Sequence, residues 1–314
     1  MAEFTWIFDA PSGVFKNHAL SAQLYRAAVE NSVLMDHVSP IDAFGKRKGE
    51  TVTWTRIASI AEPTDPVLSE TERIPEDTYA LSTGSATVQE IGRSIPVTEF
   101  ARNLTHFDLL NSVQQELREQ MRLSLDTLAA AAFKRTKIKY VQTGAASRTI
   151  TTNGTPGAAA TANMNIFHCE EIRDYLFDTQ LVPTLEDETY VGVFRTLGLR
   201  GIKRDADWEE WKKYTDPSAK FNSEVGKIEG IRFIETNHNL AFGKIGTGSV
   251  LGEGIVFGRD SVKLAEAMTP ELRAALPEDY GRSQGVAWYG VLRMEPIWAT
   301  GNAGQDRILH VSST

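Results

Sequence analysis

Four groups of residues have types and spacings that could do chemistry. Cys169 stands beside His168 and is followed by Glu170 and Glu171. A thiolate with an imidazole base would be a nucleophile. On a helix, however, adjacent side chains point about 100° apart, so His168 would not face Cys169. A half-buried structural thiol is the expectation. Gly246-Thr247-Gly248, followed by Gly252 and Gly254, could cradle a phosphate. The run lacks the Gly-Lys-Ser/Thr ending and an immediate helix, so it reads as a mobile loop. Glu235 and His238 could share a metal only on a helix, and their segment reads as a strand end. Lys134, Arg135, Lys137 and Lys139 cluster where a helix ends. Cations favour that end of the dipole, so a solvated terminus is the default. Contact with nucleic acid or an acidic neighbour is the alternative. None of these signals assigns a catalytic, cofactor-binding or metal-binding residue.

The whole chain narrows the classes further. Its 314 residues carry a net charge of −8. Chains that grip nucleic acid usually present a basic face, so that role is disfavoured. An acidic container wall is different, because it would not condense onto an enclosed polyanion. One cysteine excludes an internal disulfide and a cysteine-built zinc site, and fits a reducing compartment. No apolar run is long enough to span a membrane, and the N-terminus does not read as a secretory signal.

The elements that must position these residues are mixed. Residues 1–16 read as an irregular arm, and 17–37 as a helix capped by Asn17. Glu50 to Ile60 is β-branched and aromatic, and Ala80 to Phe100 is a second such run. Between them, Ala61 to Tyr79 is polar and marked by Pro63, Pro66 and Pro75. The two runs suggest a long hairpin with a wide acidic tip. A two-stranded ribbon is marginal alone in water, so this one should need a neighbour. The tip acids either are merely solvated or meet a neighbour's basic residues and set register.

From Asp108 to Arg135, Leu110, Val113, Leu117, Met121, Leu125, Leu128 and Ala132 recur at helical spacing. Strands are expected around Ile138–Val141, Thr149–Thr152, Tyr190–Leu197, Gly230–Glu235, Ala287–Ile297 and Arg307–Val311. Helices are expected over 166–180, 207–214 and, broken by Pro270, 264–276. Without regular βαβ alternation the class is α+β.

Several stretches carry a family resemblance. They are Ser12-Gly-Val-Phe-Lys-Asn-His-Ala-Leu20, Ile74-Pro-Glu-Asp77 and Leu117-Arg-Glu-Gln-Met-Arg-Leu-Ser-Leu-Asp126. Further on come Tyr214-Thr-Asp-Pro-Ser-Ala-Lys220, Glu235-Thr-Asn-His238 and Val286-Ala-Trp-Tyr-Gly290. With the order of elements, these resemble tailed-bacteriophage major capsid proteins of the Hong Kong 97 fold, in a podophage-type branch. The resemblance implies an N-terminal arm (1–40), an E-loop hairpin (41–102) and a peripheral domain (103–165) with a spine helix at about 108–135. It also implies an axial domain (166–282) and return strands of the peripheral domain (283–314).

The implied function is a non-enzymatic coat protein. It would self-assemble into hexamers and pentamers of an icosahedral shell around double-stranded DNA. The implied places are the virion and, during assembly, the host cytoplasm. The implied partners are other copies of the chain, packaged DNA, a portal protein and a decoration protein. A 40-residue arm is too short to include a scaffolding segment, so a separate scaffolding protein is expected. No membrane and no cofactor are expected. The inter-subunit contacts expected by type and position are Trp6, Phe15, Trp54, Arg56, Glu62, Glu72 and Arg73. The rivals are an encapsulin-like compartment shell enclosing protein cargo and, less favoured, a soluble hydrolase using Cys169.

Overall fold

The computed structural model describes residues 30, 32–41, 49–58, 60, 62–68, 70, 73–105, 108–185, 187–205, 224–276, 279–298 and 306–314. The expected arm with Trp6 and Phe15, the 207–214 helix and Glu72 lie outside the described residues. The first described elements are a 3-10 turn, Leu34–His37, and β1, Ser39–Pro40. The helix expected up to residue 37 is therefore corrected in its described part. Val33 is non-helical (φ −134°), and one 3-10 turn drops Leu34 into the core.

Two strands follow, β2 (Thr51–Ile57) and β3 (Leu81–Thr87), paired antiparallel as an isolated ribbon. Trp54 lies opposite Gly84, whose missing side chain makes room for the indole: a Cβ there would sit 2.4 Å from Nε1. The hairpin reading holds for these strands. The second run, however, divides at Val88, and β4 (Gln89–Thr98) joins a different sheet.

Thr98 caps the short helix α1 (Glu99–Leu104), its side chain accepting from the Ala101 N–H. Asp108 caps α2 (Leu109–Phe133), a helix of 25 residues and about 38 Å. The hairpin β5 (Ile138–Gly144) and β6 (Ser147–Thr151) comes next. Asn165 caps α3 (Ile166–Asp174), which runs on into a π turn. Then come β7 (Tyr190–Arg195), α4 (Thr196–Leu199), β8 (Glu224–Ile228) and β9 (Ile231–Thr236). The glycine-rich loop folds into short strands β10 (Lys244–Ile245) and β11 (Leu251–Gly252), followed by β12 (Gly254–Phe257). Long strands β13 (Val262–Ala274) and β14 (Ser283–Pro296) and the short β15 (Ile308–Val311) complete the chain.

The helix expected at 264–276 is thus strand β13. Pairing with β14 overrides the local pattern. Pro270, which cannot donate to a ladder, sits in a register shift between Met268 and Glu271. Its ring occupies the space left by Gly290, where a Cβ would lie 2.8 Å from Pro270 Cγ.

Two main sheets result. One has the order β1-β13-β14-β4, and the other β6-β5-β15-β12-β7-β9-β8. Helix α2 braces both. Its first half packs Leu117 with Val286 and Trp288 on the four-stranded sheet. Its last turns pack Ala129, Ala130 and Phe133 with Val191, Val193, Ile255 and Phe257 of the seven-stranded sheet. The opposite face of the larger sheet is covered by α3 through Cys169, Ile172 and the following Leu176. The expected boundary at 282/283 falls within the β13–β14 hairpin.

Candidate assembly surfaces

Among the described residues, the ribbon meets the body near its root. Val52, Ala86 and Ala265 form a small buried cluster with Trp54 beside it. Trp54 Nε1 donates to the Ile297 carbonyl at 3.4 Å, and Arg56 donates to the same oxygen at 2.9 Å. The Arg56 guanidinium lies 5.7 Å from the centre of the Trp298 ring, and that of Arg307 lies 5.9 Å from it. Trp54 and Arg56, expected as inter-subunit contacts, anchor the ribbon within the chain.

Beyond the root the described ribbon residues 62–68, 70 and 73–83 are exposed. Glu62 is among them, and Arg73 pairs with Glu76. The segment 61–79 carries Glu62, Asp65, Glu70, Glu72, Glu76 and Asp77 against one cation, Arg73. It also leaves Val67 80% and Ile74 67% exposed.

A second exposed zone lies at the far end of the four-stranded sheet. Leu276 is 85% exposed in the β13–β14 turn, and Tyr280 is fully exposed with a left-handed backbone (φ 56°). The Glu99 N–H bonds to the Arg282 carbonyl, which brings α1 alongside. On α1, Phe100 and Leu104 are exposed as well. A concavity of about 320 Å³ opens beside them, lined by Pro96, Arg273, Leu276 and Gly285 among others. Sequence reasoning missed this zone. Its signal was two aromatic residues in segments too short and polar to have a core of their own.

The chemical candidates resolve into structural roles. Cys169 is fully buried rather than half-buried, and burial pushes its thiol up, away from the thiolate. His168 bonds Tyr140 Oη at 2.7 Å and the Gly144 carbonyl at 3.0 Å, and burial holds its imidazole below the ordinary value. The Gly246 loop carries only a 3-10 turn, Thr247–Ser249, so no helix N-terminus stands behind it. Glu235 pairs with Lys203 at 2.5 Å, while His238 turns to Asp126. Among the described residues, no three metal-ligating side chains come together.

Three residues of the basic cluster are tied into the body, while Lys137 is exposed as a solvated terminus would be. Lys134 Nζ lies 2.6 Å from Glu253, and Arg135 pairs with Glu295. Lys139 is buried and donates to the Lys134 carbonyl at 2.8 Å. Burial lowers its pKa.

Solved structures share this architecture over the whole chain. The capsid of cyanophage Pam1 matches with a TM-score of 0.70 at 14% identity, covering 100% of this chain and 99% of that one. The head of Helicobacter pylori bacteriophage KHP40 matches with a TM-score of 0.71 at 12% identity, covering 99% and 98%. The capsid of Ralstonia phage GP4 matches with a TM-score of 0.67 at 14% identity, covering 99% and 98%. No protein-family model and no curated protein matches the sequence. The chain has the α+β fold of phage capsid subunits.

Proposed function

We propose that this capsid-fold chain is a major coat protein, whose copies close an icosahedral shell of hexamers and pentamers around double-stranded DNA. The observation that carries the reading is the ribbon. It projects aliphatic and acidic side chains that its own body leaves uncovered, on a fold shared end to end with phage head subunits. The four-stranded sheet with α2 acts as the peripheral plate and its spine, the seven-stranded sheet as the axial plate, and the β2–β3 ribbon with its excursion as the strap. Relative to the division expected from sequence, β4 and β13 move to the peripheral part and β5, β6 and β15 to the axial one. Heterologous contacts of this kind close into rings when the rotation allows. Many weak contacts then add up by multivalency. In this reading Trp54, Arg56, Glu62 and Arg73 serve the strap. Trp6, Phe15 and Glu72 keep the contact role assigned to them from sequence. A portal, a separate scaffolding protein and a decoration protein complete the particle. The role is structural rather than catalytic. The compartment-shell alternative is not favoured, since the matched structures are phage heads.

Deletion of residues 61–79 tests the strap. The deleted subunit should stay folded and soluble, with an unchanged circular-dichroism melt, and form no closed shells under the electron microscope. Normal shells from the deletion would overturn the role assigned to the ribbon.

A further inference from the structure

Asn153 is the only asparagine of the chain that glycine follows. It stands exposed in the turn that leaves β6, the edge strand of the seven-stranded sheet. The side-chain amide of an asparagine is open to attack at Cγ by the backbone nitrogen of the next residue, and this turn favours the attack. Asn153 Oδ1 accepts from the Thr155 N–H at 3.0 Å and from the Thr155 hydroxyl at 2.9 Å. A bond from the side chain to the N–H two residues on curls the amide over the nitrogen between them, which is that of Gly154. The same two donors polarise the carbonyl and would hold the charge that gathers on Oδ1 as the nitrogen adds. Pro156 restricts the backbone of Thr155 before it, which keeps the donors in place. Gly154 has φ +90°, and a Cβ there would meet nothing within 4 Å, so its nitrogen is free to swing into line.

One contact opposes the reaction. The Gly154 N–H donates to the Lys137 carbonyl at 2.9 Å and must let go before its proton can leave. That bond lies beyond Lys139 and Thr151, the pair at this end of the β5–β6 ladder. Bonds at a fraying strand end open at little cost in free energy, so this one slows the step without preventing it.

We propose that Asn153 and Gly154 form a self-modifying site of the folded chain, which turns a neutral amide into a carboxylate as the protein ages. The Gly154 nitrogen bonds to Asn153 Cγ and gives its proton to hydroxide. The Cγ–Nδ2 bond breaks, and Nδ2 takes a proton from water and leaves as ammonia. Water then opens the cyclic imide on one side or the other. One opening leaves an aspartate at position 153. The other leaves an isoaspartate, whose main chain runs through the former side chain. Either product puts a negative charge at the same point of the β6 edge in every copy. The aspartate keeps both Thr155 donors, which bond a carboxylate more strongly than an amide. The isoaspartate lengthens the backbone by one carbon and breaks the turn. The site stands whether or not the chain builds a shell.

The test is to hold the full, folded chain at pH 8 and 37 °C, digest samples with trypsin and sequence the peptides by mass spectrometry. Cleavage after Arg148 and Arg173 gives one peptide that contains Asn153, Asn163 and Asn165, so the last two serve as internal clocks. Position 153 should convert at least tenfold faster than either, and an isoaspartyl methyltransferase should label the product. Equal rates at the three asparagines would overturn the site. Conversion seen only after the chain has been unfolded in urea would overturn it as well. Thr155→Val, on an exposed side chain, removes the hydroxyl donor and keeps the N–H. It should slow conversion about threefold, as loss of one donor to a developing oxyanion requires. An unchanged rate in that variant would overturn the part assigned to Thr155.

Discussion

Asp126 Oδ2 lies 2.9 Å from His238 Nδ1, with both side chains almost wholly buried. The other carboxylate oxygen accepts from the Ser32 hydroxyl at 3.1 Å, the Val33 N–H at 3.0 Å and the Leu34 N–H at 2.7 Å. One carboxylate in the middle of α2 thus ties together the helix, the segment entering β1 and the chain leaving β9. Asp126→Ala would leave two backbone N–H groups and an imidazole without their acceptor. Unsatisfied buried donors cost about 1–3 kcal/mol each, so a loss of about 3–5 kcal/mol is expected. Urea unfolding should show a lower midpoint with an unchanged slope, and Asp126→Asn, which keeps an acceptor oxygen, should lose less. A midpoint equal to that of the unaltered chain would contradict the clasp.

The ribbon root depends on Trp298. Its ring faces two guanidinium groups, from Arg56 and Arg307. Each cation–π contact contributes about 0.5–2 kcal/mol, depending on desolvation. Trp298→Ala should free the root without disturbing α2. Hydrogen exchange should quicken at least tenfold across 51–57 and 81–87 and stay unchanged across 109–133. A uniform change would mean that Trp298 supports the whole body instead.

Much of this architecture was legible because it is local. The apolar spacing of Leu110 to Ala132 sufficed for α2, and the β-branched run at Thr51–Ile57 sufficed for one side of the ribbon. The strand Val262–Ala274 was not legible. Its identity comes from a partner, β14, and from Gly290 making room for Pro270, neither of which a sequence window contains. The ion pairs of Lys134 and Arg135 reach residues 119 and 160 positions away, so their charges look free in sequence. Asp126 did leave a trace. It falls on one helical stripe with Ala129, Ala130 and Phe133, a carboxylate on a face otherwise apolar and buried.

Close backbone packing yields another expectation. A Cβ at Gly252 would lie 2.2 Å from the Gly198 nitrogen and 3.0 Å from its Cα. Backbone cannot swing aside as a side chain can, so Gly252→Ala must push α4 off β11. A cost of about 3 kcal/mol and poor soluble yield are expected. Gly243→Ala is the control, because its Cβ would meet only Glu253 Oε2 at 3.4 Å. Equal melting temperatures for the two variants would refute the contact.

The buried cluster at the end of α2 makes stability depend on pH. His310 Nδ1 accepts from Lys139 Nζ at 2.9 Å, and its Nε2–H donates to Glu253 Oε1 at 2.6 Å. Lys134 bonds the other oxygen of Glu253. Burial, then the charge of Lys139, hold the imidazole below its ordinary value despite the bond to Glu253. As pH falls through about 6.5 the unfolded chain takes up this proton before the folded one does. Stability is therefore full above that pH and falls below it, by at most about 1.4 kcal/mol per unit. His37 and His168, also lowered by burial, act in the same sense. Asp306 opposes them. Burial raises it to about 6, so it adds stability as pH falls from there towards 3.8. Burial alone would raise Glu253, but the bond from His310 and the charge of Lys134 hold it at about 2. Its contribution is present above 4.5 and is lost as pH falls from there towards 2. Among the described residues, His37, His168 and His310 act against Asp306 between 6.5 and 4.5, so acidification should weaken the fold. His310→Gln can keep both hydrogen bonds without titrating. Urea midpoints followed from pH 7 to pH 5 should fall less steeply for this variant, by about one proton's worth of slope. Parallel curves for the two proteins would remove His310 from the pH response.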